Sequence, residues 1–181
     1  MRVPASTRKR LGSFSLSSST VAITDPGYFE KDVRKYGLGD FVERCAIGEW
    51  RVELTEGFMP DRKFAVPGTV QASLDGVTLD SSDRDWKRIG SVGGDSGIVG
   101  VFDLSRVHDA SIVPSGQKWT YNAAPADPND LWYSFICEAI RDKSVALIPF
   151  GFAVSWDSTM DIDVLVSESQ IVAIRLLISE S

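Results

Sequence analysis

Hydrophobic and polar residues alternate along much of this chain, most cleanly over residues 49–54. Trp50, Val52 and Leu54 fall on one side, and Glu49, Arg51 and Glu53 on the other. A strand with one dry and one wet face produces that period of two, so the segment predicts a half-solvated antiparallel strand. Shorter apolar runs at 20–23 and 98–102 predict two more strands. The first ends at Asp25-Pro26-Gly27, a strong turn signal, and the second follows the tight turn Gly93-Gly94-Asp95-Ser96-Gly97. Residues 64–74 read as a strand interrupted by Pro67-Gly68, and 145–156 as one buried strand. Residues 160–166 and 171–178 read as a hairpin around Ser167-Glu168-Ser169-Gln170.

Two stretches carry the helical period instead. Phe29, Val33 and Tyr36 recur three or four apart, until Gly37 and Gly39 interrupt them. The pattern therefore predicts a helix, a break and a short second turn through Phe41, Val42 and Cys45. The second helix opens on Asp127 as N-cap, with Pro128 at its first position. Its apolar stripe is Trp132, Phe135, Ile136, Ala139 and Ile140.

A short pattern occurs twice. Gly12-Ser13, Ser18, Val21, Ile23 and Asp25 return at the same spacing as Gly90-Ser91, Ser96, Val99, Val101 and Asp103. The order of elements after each copy also repeats, a helical stretch and then strands. The expectation is an α+β fold, a mainly antiparallel sheet with two helices, built as two pseudo-repeated halves (about 11–79 and 86–181) in one domain. Residues 1–10 are expected to form a disordered basic tail.

Composition narrows the function. The chain has 181 residues, 43% hydrophobic and 24% charged, with a formal net charge of -6. Arg2, Arg8, Lys9 and Arg10 supply four of the 19 basic residues, so the body holds 15 basic against 25 acidic, a net -10. Such a body repels nucleic-acid phosphates and anionic membranes, although the basic tail could touch an acidic partner. No stretch is long and apolar enough for a transmembrane helix, and residues 11–15 are too polar for the core of a secretory signal. Cys45 and Cys137 are expected as thiols in a reducing cytoplasm, and with one histidine they cannot build a structural zinc site.

Gly94-Asp95-Ser96-Gly97 invites a serine-nucleophile reading, since proteases of the chymotrypsin type carry such a run. A serine hydroxyl needs a base to take its proton, and the sole histidine, His108, follows Ser96 by twelve residues, the wrong order for that triad. Ser96 also corresponds to Ser18, whose neighbours are serines, so the run marks a turn. Asp109 could orient His108, but no nucleophile accompanies the pair. Asp157, Asp161 and Asp163 lack the spacing of a calcium loop, and alternation puts Asp161 and Asp163 on one solvated face. Asp25 and Asp103 end corresponding strands. They could be paired carboxylates for acid–base work, or turn residues bonding local backbone. No phosphate-binding loop, dinucleotide fingerprint or metal set is present, so no cofactor is expected.

Several segments together resemble a bacterial domain-of-unknown-function family, numbered four-two-four-one. The resemblance is carried by Val21-Ala22-Ile23-Thr24-Asp25-Pro26, by Gly48-Glu49-Trp50-Arg51-Val52-Glu53-Leu54, and by Asp95-Ser96-Gly97 with Asp103. It extends to the closing strands at 152–156, 160–166 and 171–178. Where the family tends to carry a glycine-rich Gly-Trp-Gly-Asp-Gly-like turn, this chain has Ser155-Trp156-Asp157-Ser158-Thr159. The resemblance implies a fold and no activity.

Trp50, Trp132 and Trp156 are expected in the core. The irregular stretch 105–126 carries Trp119 and Tyr121, which with Trp156 and Asp157 are the binding candidates. The leading expectation is a small non-enzymatic binding or accessory protein that engages a protein partner, a profile shared by defence and immunity proteins. The rival is a hydrolase or isomerase using Asp25, Asp95 and Asp103. It requires the three carboxylates to share a cleft.

Overall fold

A computed structural model of the chain describes residues 8–28, 39–58, 65–79, 85–107, 131–141, 143–156 and 159–178, with isolated positions between 111 and 119. The described strands form two antiparallel sheets. The larger runs β1 (Arg8–Leu16), β4 (Gly48–Phe58), β5 (Ala65–Leu74), β11 (Gln170–Ile178), β10 (Met160–Ser167) and β6 (Trp86–Val92) from edge to edge. The smaller runs β3 (Gly39–Val42), β2 (Val21–Thr24), β7 (Ile98–Asp103), β9 (Gly151–Ser155) and β8 (Val145–Ile148). One α-helix, α1 (Leu131–Ile140), lies among the described residues. The coarse expectation of a mainly antiparallel α+β fold holds. No described helix is long and apolar enough to cross a membrane.

Alternation decides which side chains fill which layer. Val21 and Ile23 of β2, with Val99 and Val101 of β7, point into the core between the sheets, where Trp50, Val52, Phe152, Met160, Ile162 and Ile174 meet them. Ala22 and Phe102 point the other way, into a second core beneath Phe135, Ile136 and Ile140 of α1. Every residue of β2 and β7 is therefore buried. That explains why both read as continuous apolar runs, whereas β4, with one face outside, alternates.

Several expectations are corrected. Arg8, Lys9 and Arg10, assigned to a disordered tail, begin β1 and pair with Thr55, Leu54 and Glu53. The helical turn expected through Phe41 and Val42 is strand β3, because both residues pair with β2. The rest of that first helix lies largely outside the described residues, as does the N-cap of the second. The single strand expected over 145–156 is a hairpin, β8 and β9 joined across Pro149-Phe150. Asp163 is not solvated. It is 4% exposed. Trp50 and Trp156 are buried as expected, while the side chain of Trp132 lies outside the described set.

Gly39 and Gly151 are among the glycines required where the backbone approaches a carbonyl. A Cβ on Gly39 would stand 2.8 Å from the Ile23 carbonyl oxygen, and one on Gly151 would overlap the Val101 carbonyl oxygen. Val101 and Phe102 cannot retreat, being packed between two cores. Gly151→Ala should therefore destabilise the fold by about 2–4 kcal/mol through overpacking in the sheet centre. Urea denaturation would measure it, and a midpoint within error of wild type would show that the strands can part there.

Candidate functional site

The repeated aspartates are placed by the ends of the central strands. Val21 pairs with Asp103, and Asp25 follows the last residue of β2. Asp25 lies four residue steps beyond Val21, so about 13 Å lies between the two aspartates along the pair. Asp25 and Asp103 do not converge.

Each aspartate is closed by a serine turn from the other copy of the pattern. Asp103, fully buried, accepts from the Ser17 amide and hydroxyl at 2.7 and 2.6 Å, and from the Ser18 hydroxyl at 2.7 Å. The Ser105 amide and hydroxyl add bonds at 3.0 and 2.8 Å. Asp25, 1% exposed, accepts from the Ser96 amide and hydroxyl, both at 2.7 Å, and from the Gly27 amide at 2.7 Å. An ionised carboxylate offers roughly four lone-pair directions, so the five donors around Asp103 saturate it. Burial alone would raise its pKa, but the hydrogen bonds from Ser17, Ser18 and Ser105 outweigh burial and hold it below the ordinary value.

These reciprocal serine–aspartate bonds form a latch, and its two ends differ in what surrounds them. Serines and the 3-10 turn Leu104–Arg106 close the Asp103 end. At the Asp25 end, Tyr28 hydrogen-bonds Asp95, and that bond with partial burial raises the phenol's pKa. Helix α1 brings Tyr133 and Cys137 down on the same point. Burial pushes Tyr133 up to about 12, with Cys137 and Asp25 adding to the rise. Burial likewise raises Cys137, opposed by its hydrogen bond with Tyr133. So Asp25, Asp95 and Ser96 share one cluster with Tyr28, Tyr133 and Cys137, and Asp103 stands apart from it. A thiol and a phenol with raised pKa values are poor nucleophiles near neutral pH. Cys45 is more extreme, pushed by burial to about 12, and both cysteines are free thiols.

A second polar cluster lies on the outer face of the larger sheet, away from both cores. Asp163 sits opposite Arg175 on β11 and Arg88 on β6. It accepts from Arg175 Nε and Nη2 at 3.0 and 2.9 Å and from Arg88 Nε. Arg88 Nη1 also reaches Asp161 at 2.6 Å. The Arg175 guanidinium lies 4.4 Å from the Trp86 ring centroid, a cation–π contact on a half-exposed tryptophan. None of these residues except Asp161 and Asp163 drew notice in the sequence. Alternation places Trp86 and Arg175 outward, but which strands adjoin is a matter of topology.

Among the binding candidates, Trp119 is half-buried against the second core, and Trp156 belongs to the first. Tyr121, Asp157 and His108 lie outside the described residues. Among the described residues no group of three or more His, Cys, Asp or Glu could hold a metal ion. No family model, no curated protein and no solved structure matches this chain.

The latch predicts an acid limb. Because the folded-state pKa of Asp103 is depressed, the stability it contributes is full above the ordinary value of 3.8. It is lost as pH falls through the lower folded-state value. Asp103→Asn should cost about 2–4 kcal/mol at neutral pH, since an amide donor would face serine donors. It should also flatten the fall in stability below pH 4. Thermal melts from pH 3 to 7 would check both, and parallel curves for variant and wild type would refute the assignment.

Proposed function

We propose that this is a non-enzymatic binding protein that engages a protein partner through the outer face of the six-stranded sheet. The observation that carries this reading is the Trp86–Arg175–Asp163–Arg88 cluster. Tryptophan and arginine dominate the energetics of protein interfaces, and here both are held rigid before any partner arrives. Asp163 fixes the two guanidinium groups, and Trp86 is stacked beneath one of them. The rival, a hydrolase or isomerase using Asp25, Asp95 and Asp103, is disfavoured by the separation of Asp103 from the other two. The half-burial of Trp119 likewise weighs against the 105–126 segment as the main contact. A defence or immunity role belongs to this same reading by analogy of profile.

We also infer that the architecture arose by duplication, in keeping with the repeated pattern noted in the sequence. Support comes from register. Ile23 pairs with Val101, its own counterpart in the repeated pattern. The 3-10 turn Pro26–Tyr28 corresponds to Leu104–Arg106 at the same offset. The bulge between Arg10 and Gly12 corresponds to that flanked by Arg88 and Gly90. The larger sheet reads alike from both edges if β1, β4 and β5 answer to β6, β10 and β11.

Affinity capture from lysate with wild type and Trp86→Ala tests the binding face. Trp86 is half-exposed, so the variant should fold, and it should lose most of the proteins that wild type retains. An unchanged set would remove this face from the proposal.

A further inference from the structure

The second half departs from the repeated plan by one strand, and that strand builds a groove. β3 answers to β9 beside the central pair, but among the described residues β8 has no counterpart in the first half. It extends the smaller sheet past β9 and comes to lie beside β1, the edge of the larger sheet, where a Cβ on Gly12 would meet the Leu147 side chain at 2.9 Å. The seam is lined by Lys9, Arg10, Leu11, Leu54, Lys143 and Leu147, together with residues 144–146.

Three features of this seam point to one kind of occupant. Among the described residues β8 pairs only with β9, so its other edge offers free backbone donors and acceptors. The floor is apolar, supplied by Leu11, Leu54 and Leu147. The rim is cationic, with Lys9, Arg10 and Lys143 all exposed. The corresponding residues of β6 show the contrast. Arg88, which answers to Arg10, is neutralised by Asp161 and Asp163, whereas the cross-strand neighbour of Arg10, Glu53, pairs with Arg8. Among the described residues no carboxylate forms an ion pair with Lys9, Arg10 or Lys143.

We propose that the β1–β8 seam takes an extended acidic segment of a protein partner, added as a strand on the free edge of β8. This adds a second surface to, and rests on, the reading of the chain as a partner-binding protein. Strand addition uses the free edge for affinity. Alternate side chains of the segment would meet the leucine floor, and its carboxylates the three cations. A nucleic-acid strand fits less well, because the lining holds no aromatic side chain on which a base could stack and the chain as a whole carries -6.

The probes are a fluorescein-labelled peptide of about ten residues alternating glutamate and valine, its lysine–valine counterpart, and a thymine oligonucleotide of similar length. Fluorescence anisotropy at low salt on the full chain should show binding of the acidic peptide. Two charge reversals on the rim, Lys9→Glu with Lys143→Glu, should weaken it about tenfold or more. Hydrogen exchange at residues 145–148 should slow only when the acidic peptide is bound. Absence of binding, equal binding of the basic peptide, tighter binding of the oligonucleotide, or unchanged exchange in β8 would each overturn the groove. Lysate capture by the doubly reversed variant separates the two readings. If the doubly reversed variant still retains the partners of wild type, the groove falls and the binding function stands. If wild type itself retains nothing, the broader reading falls.

Discussion

Asp25 and Asp103 are taken out of water at opposite ends of one strand pair, and a buried carboxylate is tolerable only if donors replace its hydration. Those donors come chiefly from the turn that precedes the opposite strand: Ser96 for Asp25, Ser17 and Ser18 for Asp103. The latch is thus reciprocal, and it fixes more than two side chains. A slip of β2 against β7 by one residue would pull both aspartates off their donors and turn Val21 and Ile23 out of the inter-sheet core at once. Register, burial of both strand faces and closure of both turns are one constraint.

That constraint also shapes what the site can do. A carboxylate saturated by five donors has no free lone pair with which to accept a substrate proton. Separation along the pair prevents the two aspartates from working together. The Asp25 end differs because Asp95 stands where the first copy has Ser17, and because α1 adds Tyr133 and Cys137. Yet burial raises the phenol and the thiol away from reactivity, so the polar character of that end serves to anchor the helix on the sandwich.

Much of this order was legible in the sequence, and the failures have physical reasons. The repeat was readable because a latch needs the same residue types at the same spacing in both copies. Its reciprocity was not, because a serine two residues from a strand looks like a cap for its own turn until the partner strand is known. Lys9 and Arg10 read as tail because charge suggests solvation, yet charges and a bulge are also how an edge strand avoids pairing with a stranger. The β8–β9 turn escaped notice because Phe150, 1% exposed, fills the second core from within the turn. Phe41 and Val42 followed a helical period by coincidence of spacing, and the hydrogen-bond ladder with β2 prevailed over it. The Trp86–Arg175 stack depends on β6, β10 and β11 lying side by side. No local pattern encodes that adjacency.

On the proposed duplication, the residues that both halves share serve the common scaffold, and chemistry peculiar to the protein must come from the differences. Among the described residues two differences stand out. Asp163, Arg175 and Trp86 replace Glu53, Gln71 and Arg8 across the larger sheet, converting a plain polar row into a stacked ion network. β8 extends the edge of the smaller sheet. Each change alters a surface and leaves the latch intact. On that reading the core is a rigid support whose two ends are locked, and recognition, as proposed, belongs to the surfaces on which the two halves differ.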